Sequence, residues 1–284
     1  MNKQNLNIHV VDAFVGEGLA GNPAGVCPLE SWLPDETMQA VAREMGLSET
    51  AFFAPRDDGY LLRWFTPTTE VDLCGHATLA SAAVFFAHLD GSASAVRFHT
   101  LKSGSLTVTR DGALMELDFP ARPAAPVDNA GIGAALGAAP VETLLLPGKA
   151  CLAVYAHEDE VRALAPDMER VAAIGAELDI DAGAELVIAT APGTRSDFVS
   201  RVFAPRAGIP EDPVTGAAHT TLVPYWSARL GKAELHALQV SDRGGELFCT
   251  ARGDRVGMAG RAAIRQSGTV NVAGAAPRAE LVDA

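Results

Sequence analysis

The sequence predicts an α/β (α+β) protein built from two similar halves, each a set of strands around one strongly apolar helix. Three observations predict it. The order of strand-like and helix-like segments before Ala121 recurs after it. Two segments, one following Gly75 and one from about Thr215, are apolar or small-residued almost all the way round, as a buried helix is. The length of 284 residues suits one large domain or two ordinary ones.

In the first half, Asn7–Phe14 (NIHVVDAF) has the β-branched and aromatic content of a strand. Gly16, Gly18 and Gly21-Asn22-Pro23 turn the chain, and Pro23–Leu29 returns as a second strand. Pro34 opens a helix with Met38, Val41, Ala42 and Met45 on one face, and Gly46 ends it. Strands follow at Glu49–Ala54 and Tyr60–Phe65, then the helix from Gly75, then strands around Val96–Thr100, Ser105–Thr109 and Leu114–Phe119. Arg110-Asp111-Gly112 reads as the turn between the last two. Ala121–Pro140, rich in Ala, Gly and Pro, reads as a connection between domains. The second half has strands at Leu144–Leu146 and Leu152–Tyr155, and helices at Glu158–Ala165 and Asp167–Gly175. Strands at Glu185–Ala189 and Asp197–Phe203 lead to a helix from Thr215 to Leu230, with Pro224 expected to kink or break it. Three strands close the pattern near Leu238–Ser241, Glu246–Ala251 and Val256–Ala259, with Ala262–Gln266 as a possible fourth. The domains are read as 1–122 and 123–284, with the chain end able to cross back to the first and a fraying tail after Val272.

Composition narrows the function. Hydrophobic residues make up 48% of the chain, which excludes disorder, and the net charge of −13 opposes binding to nucleic acid or anionic membranes. The longest apolar stretch, Ala77–Ala87, is far short of the roughly 20 residues a membrane span needs. Met1–Leu6 lacks a signal-peptide pattern, so a cytoplasmic protein is expected. Cys27, Cys74, Cys151 and Cys249 are widely separated, and read as reduced thiols rather than a disulfide or zinc framework. No phosphate-binding loop, Gly-x-Ser-x-Gly elbow or complete dinucleotide fingerprint occurs. His157-Glu158-Asp159 reads as a solvated helix start without metal partners, and His88, His99, His219 and His236 show no partner in the sequence.

The halves match most closely where a strand ends in Phe65-Thr66-Pro67 or Phe203-Ala204-Pro205. Cys74 and Asp212 each follow nine residues after the phenylalanine and precede a helix. Helix N-termini present backbone N–H groups that favour anions, so two of them facing one cleft would hold a carboxylate. Cys74-Gly75-His76 offers a thiol, a close-approach glycine and an imidazole; Glu211-Asp212-Pro213-Val214-Thr215-Gly216 offers carboxylates, a proline suited to a first helical turn and a glycine. Taken singly, Asp212 is as well explained as an N-cap, Cys74 as a small buried hydrophobe and Glu49 as an exposed turn residue.

In order along the chain, Asp12-Ala13-Phe14, Gly21-Asn22-Pro23-Ala24-Gly25-Val26, Leu47-Ser48-Glu49-Thr50-Ala51-Phe52, Arg63-Trp64-Phe65-Thr66-Pro67, Glu70-Val71-Asp72-Leu73-Cys74-Gly75-His76-Ala77-Thr78 and Glu211-Asp212-Pro213-Val214-Thr215-Gly216 resemble the PhzF-like phenazine-biosynthesis family. The resemblance implies a diaminopimelate epimerase-like fold: two pseudo-repeat domains, each a barrel-like, mostly antiparallel sheet around a central helix, with the active site between them. It implies a cofactor-independent isomerase, often a homodimer, acting on a small carboxylated, cyclic substrate. The activity that names the family isomerises trans-2,3-dihydro-3-hydroxyanthranilate. Glu49 is implied as general acid/base, with His76 and Asp212 as catalytic partners and Asn22, Cys74, Gly75, Thr215, Gly216 and Ala217 as substrate-binding positions. No metal is implied. Ala217 stands where the family often has serine, which bears on substrate identity.

The related epimerases use one cysteine per domain. Here the spacing sets Cys74 against Asp212, so a thiol pair is lacking and proton relocation on one face by Glu49 is the simpler chemistry. In an apolar cleft, desolvation is expected to raise the Glu49 pKa toward neutrality. Two alternatives stay open: a racemase or epimerase using Cys74 with Asp212, and a binding protein that has lost turnover.

Overall fold

The computed structural model describes residues 3–129, 131–180 and 186–273. The protein is a mixed α+β chain, mostly sheet, with six α-helices among the described residues. It divides into two compact units. Unit 1 comprises residues up to Ala13, Pro23–Leu117 and those from Gly260 onward; unit 2 comprises Phe14–Asn22 and Asp118–Ala259.

The opening segment runs as β1 (Lys3–Val15), longer at both ends than its apolar pattern suggested, and pairs with β2 (Asn22–Pro28). In α1 (Asp35–Met45) the apolar positions Met38, Val41 and Ala42 are buried, and Gly46 stops the helix at φ 61°. The remaining elements of unit 1 are β3 (Glu49–Arg56), β4 (Gly59–Phe65), β5 (Glu70–Val71), α2 (Gly75–His88), β6 (Ala95–His99), β7 (Ser105–Asp111) and β8 (Leu114–Pro120). Strand β2 runs parallel to β3 and β4 parallel to β6. Pairs β3/β4, β4/β5, β6/β7 and β7/β8 are antiparallel. The last hairpin turns on Gly112-Ala113, since Asp111 already pairs with Leu114; the turn expected at Arg110–Gly112 is displaced toward the glycine that supplies φ 57°.

Helix α2 buries ten of its residues, from His76 to Phe86. Its hydroxyls are spent inside the helix: Thr78 Oγ1 donates to the Cys74 carbonyl and Ser81 Oγ to that of Ala77, which lets polar residues sit in an apolar core. Phe85 meets Tyr60 edge-on, and Tyr60 and Phe98 meet Phe53 likewise, at centroid distances of 5.4–5.7 Å.

Unit 2 contains β9 (Ala125–Pro126), α3 (Gly131–Leu136), β10 (Glu142–Leu146), β11 (Ala150–Val154), α4 (Glu158–Ala163), α5 (Met168–Glu177), β12 (Leu186–Pro192), β13 (Phe198–Ala204), β14 (Ile209–Asp212), α6 (Gly216–Leu230), β15 (Glu234–Gln239), β16 (Gly245–Arg252) and the beginning of β17 (Arg255–Ala273). Its pairings repeat those of unit 1. Strand β11 runs parallel to β12 and β13 parallel to β15, while β12/β13, β13/β14 and β15/β16 are antiparallel. The Ala- and Gly-rich stretch read as a connection carries α3, whose Ile132, Ala135 and Leu136 are buried in the unit 2 core. Two glycines in six residues hid it; Asn129 Oδ1, accepting from the Gly131 and Ile132 N–H groups, compensates at its start. Two expected closing strands, Val256–Ala259 and Ala262–Gln266, are one strand, β17. Glu185 and the residues from 274 onward, parts of an expected strand and tail, lie outside the described residues.

Pro224 neither breaks nor splits α6. Proline cannot donate to the carbonyl four residues back. That carbonyl, on Thr220, accepts the Arg122 N–H at 2.9 Å instead, so no buried acceptor is abandoned.

Candidate active site

Glu49 opens β3 and is buried, with 9% of its surface exposed. Cys74 is the N-cap of α2, and His76 lies in its first turn, both buried. The structure brings the three side chains together: their ligand-capable atoms all lie within 4.8 Å of one another, the one such cluster among the described residues. His76 Nε2 is 3.2 Å from Glu49 Oε2, and Cys74 Sγ is 3.4 Å from His76 Nδ1. Glu49 Oε2 has an ion-pair distance to the imidazole without a well-directed hydrogen bond.

Burial alone would raise the Glu49 pKa. The charge of His76, 3.2 Å away, is the largest influence against it, and the carboxyl is held below its ordinary range. The expected upward shift is therefore corrected: a buried carboxyl beside an imidazolium stays ionised. Burial opposes the charged form of His76 too, yet Cys74 and Glu49 carry its pKa well above 6.5. Burial, followed by the Glu49 charge, pushes the Cys74 thiol upward, so the dominant state is a carboxylate–imidazolium pair beside a neutral thiol. Glu49 is thus not the exposed turn residue of the simplest reading.

In unit 2, Asp212 ends β14, and the N-cap of α6 is Thr215. Asp212 is consequently not the N-cap, and Pro213 does not enter the first helical turn. The Asp212 carboxylate accepts from Asn22 Nδ2 at 2.8 Å and from the Thr215 hydroxyl. Asn22 Nδ2 also donates to the Val214 carbonyl at 2.9 Å. The buried Gln239, which sequence reasoning missed, closes the arrangement. Its Oε1 accepts the Thr215 N–H at 2.8 Å, and its Nε2 donates to the Asp212 carbonyl at 2.7 Å. Gly245 was missed as well: a Cβ there would overlap Val214 Cγ2. Nothing in the sequence near either residue marks it, because both act through the fold. Gly216 is buried, and Ala217 is exposed in the first turn of α6.

The two halves can be aligned by strand register. Thr50 pairs with Phe65 and Val187 with Phe203, so Glu49 corresponds to Leu186. The alignment also matches two arginine clamps, one buried (Arg63) and one part-buried (Arg201). Arg63 grips Glu70 through two hydrogen bonds of 2.7 Å, and Arg201 grips Glu211 through two of 2.8 Å. Each guanidinium also lies 5.1 Å from the following phenylalanine ring, Phe65 or Phe203. The loop between clamp partners spans seven residues in unit 1 and ten in unit 2, where Pro205–Ala207 adds a 3₁₀ turn. Counting nine residues from the phenylalanine therefore misaligns the halves by three. Trp64 pairs with Val71 and Val202 with Asp212, so Asp212 corresponds to Val71. By their places at the helix starts, Thr215 corresponds to Cys74, Gly216 to Gly75 and Ala217 to His76.

Other candidates have structural roles. Of the helix start at His157-Glu158-Asp159, His157 and Asp159 are exposed as expected, whereas Glu158 is buried and accepts from the Thr194 N–H and hydroxyl at 2.7 Å. His88 stacks on His9, His99 lies 2.8 Å from Asp58, and His236 lies 3.0 Å from Glu246. His219 Nδ1 donates to the Thr215 carbonyl at 2.9 Å, and burial lowers its pKa to about 4.

A family model described as phenazine biosynthesis-like protein matches residues 11–268. An uncharacterized isomerase of Pseudomonas aeruginosa is 48% identical over 268 residues, covering 94% of this chain and 99% of that protein. A human phenazine biosynthesis-like domain-containing protein is 41% identical, covering 93% and 99%. The crystal structure of a PhzF family protein from Enterococcus faecalis aligns with a TM-score of 0.88 at 41% identity, covering 94% and 99%. A probable proline racemase from Agrobacterium radiobacter, at 12% identity and a TM-score of 0.60, shares the fold. The repeated topology, the ordered motifs and these matches place the chain in one family: it belongs to the phenazine biosynthesis-like PhzF family.

Proposed function

We propose that the protein is an isomerase that moves a proton within a small carboxylated, cyclic substrate by general acid/base catalysis at Glu49, without a cofactor. The observation that carries this reading is the unequal chemistry of the two repeats. Unit 1 has Glu49, Cys74 and His76, whereas the corresponding positions of unit 2 hold Leu186, Thr215 and Ala217. One carboxyl serving as both base and acid fits relocation along a conjugated system on a single face. Epimerisation by a pair of bases requires a second acid/base group at the matching place, and threonine is a poor one.

The roles follow from the local chemistry. Ionised Glu49 takes a proton from a substrate carbon and returns it to another carbon of the same system. His76, as imidazolium, stabilises the negative charge that develops in between. The first N–H groups of α2 and α6, at Gly75 and at Gly216-Ala217, lack intrahelical acceptors and suit a carboxylate. Asp212, already oriented by Asn22 and Thr215, suits a substrate hydroxyl or amine. Positioned acid/base catalysis is worth about 10²–10⁴-fold, which sets the size of the test.

Deuterium incorporation from D₂O, followed by proton NMR, is measured on trans-2,3-dihydro-3-hydroxyanthranilate and other cyclic unsaturated carboxylic acids. Glu49→Gln is expected to abolish exchange while retaining ligand binding. Exchange at the wild-type rate in that variant would end the assignment. A second chain copy is proposed on the family resemblance, and light scattering at known concentration reads it directly.

A further inference from the structure

We propose that Glu49, Cys74 and His76 form a binding site for one thiophilic divalent cation, with Zn²⁺ as the fitting ion, and that its occupation blocks the acid/base pair. The blocking clause rests on the role given to Glu49 above; the binding does not. Carboxylate oxygen, thiolate sulfur and imidazole nitrogen are the three zinc donor types, and three protein ligands leave a fourth position for water. The separations suit the ion. With Zn–N and Zn–O near 2.1 Å and Zn–S near 2.3 Å, a tetrahedral centre needs about 3.4 Å from nitrogen to oxygen and about 3.6 Å from nitrogen or oxygen to sulfur. His76 Nε2 lies 3.2 Å from Glu49 Oε2 and 4.0 Å from Cys74 Sγ, each within a few tenths of an ångström of the separation the ion needs, and all three atoms lie within 4.8 Å of one another.

Charge balance points the same way. The ion takes the deprotonated thiolate of Cys74 and the neutral imidazole of His76. Thiolate, carboxylate and Zn²⁺ then sum to zero, which a buried site tolerates far better than a net charge. The inward-facing Glu49 Oε2, without a well-directed hydrogen bond, has a lone pair to give. Widely spaced cysteines concealed this site, because its ligands come from β3 and the start of α2 rather than from a contiguous motif.

The test is equilibrium dialysis with Zn²⁺ and absorption spectroscopy with Co²⁺ on the full chain. One equivalent of Zn²⁺ is expected, with a thiolate-to-cobalt charge-transfer band. Cys74→Ser is expected to lose the band and to bind Zn²⁺ at least about 100-fold more weakly, since even an outer-shell partner is worth 10–100-fold. Glu49→Gln is expected to keep the band with weakened affinity. Absence of the band, or wild-type Zn²⁺ affinity in Cys74→Ser, overturns the proposal. Should Cys74→Ser fail to fold by circular dichroism, His76→Asn decides: weakened binding supports the site and unchanged binding overturns it. No arm uses turnover, so failure of the isomerase reading leaves this outcome readable.

Discussion

His76→Leu gives the sharpest physical test of the unit 1 cluster, because it removes the partner charge and leaves an apolar side chain of similar bulk. Glu49 then has two ways to fold: as a buried, unpaired carboxylate, or protonated. Protonation is the cheaper course, and its cost depends on pH. The ordinary values are 4.5 for Glu49 and 6.5 for His76. In the wild type the lowered Glu49 pKa supplies stability that is present above 4.5 and is lost as pH falls through the folded value. The raised His76 pKa supplies stability that is complete below 6.5 and is lost as pH rises through its folded value. In the variant, folding takes up a proton on Glu49 above 4.5, so stability falls there by about 1.4 kcal/mol per pH unit. Between 4.5 and 6.5 the pair's contribution to the wild type keeps its level, and groups common to both proteins, such as His219, cancel in the difference, so the gap opens to about 2.7 kcal/mol. Above 6.5 the contributions of these two groups decline at the same slope in both proteins and the gap stays level. A constant offset from lost imidazole contacts adds to this curve without bending it. Urea titrations from pH 4.5 to 8, read by the fluorescence of the buried Trp64 in unit 1, measure the gap. A gap that is flat between 4.5 and 6.5 refutes an ionised Glu49 held by His76.

Three further outcomes follow from other parts of the molecule. Iodoacetamide is expected to alkylate Cys74 of the native protein at least about tenfold more slowly than in urea, because the thiol is buried and protonated, and mass spectrometry of the modified peptide checks this. Gly245→Ala is expected to cost about 1–3 kcal/mol, since the new methyl meets Val214 and presses on the loop between Asp212 and Thr215; thermal unfolding reads it. Pro224→Ala is expected to change stability by under about 1 kcal/mol, far from the roughly 3 kcal/mol of an uncompensated helix proline, because the Thr220 carbonyl already accepts from Arg122.

Much of this architecture was legible because local pattern and tertiary demand coincide. The Met38, Val41 and Ala42 spacing and Gly46 gave α1, and the apolar circumference of Gly75–His88 gave a buried α2. The second repeat was legible as an order of elements. Its exact alignment was not, since the 3₁₀ turn at Pro205–Ala207 inserts three residues that no apolar pattern marks. Glu49, Cys74 and His76 were named from family motifs, but their mutual distances required β3 and α2 to be packed together. The direction of the Glu49 pKa is not legible in the sequence, because burial raises it and only the packed neighbour His76 lowers it.

Comparing the repeats separates the residues that build the fold from those that carry chemistry. Arg63 and Arg201, Glu70 and Glu211, Phe65 and Phe203, and Gly75 and Gly216 are the same in both, and the clamps do the same work: a guanidinium ties a short strand beside the start of an apolar helix. Glu49 faces Leu186 across the alignment, Cys74 faces Thr215, His76 faces Ala217, and Val71 faces Asp212. A packing requirement would have kept these alike in polarity, as it kept the clamps. Their divergence leaves a buried carboxyl–imidazole–thiol cluster in one repeat and a hydrogen-bonded carboxylate in the other. Two copies of one scaffold thus carry unlike groups at matching places, so the proposed one-base reading stands or falls on the unit 1 cluster alone, and a variant at Leu186 or Ala217 is expected to leave it untouched.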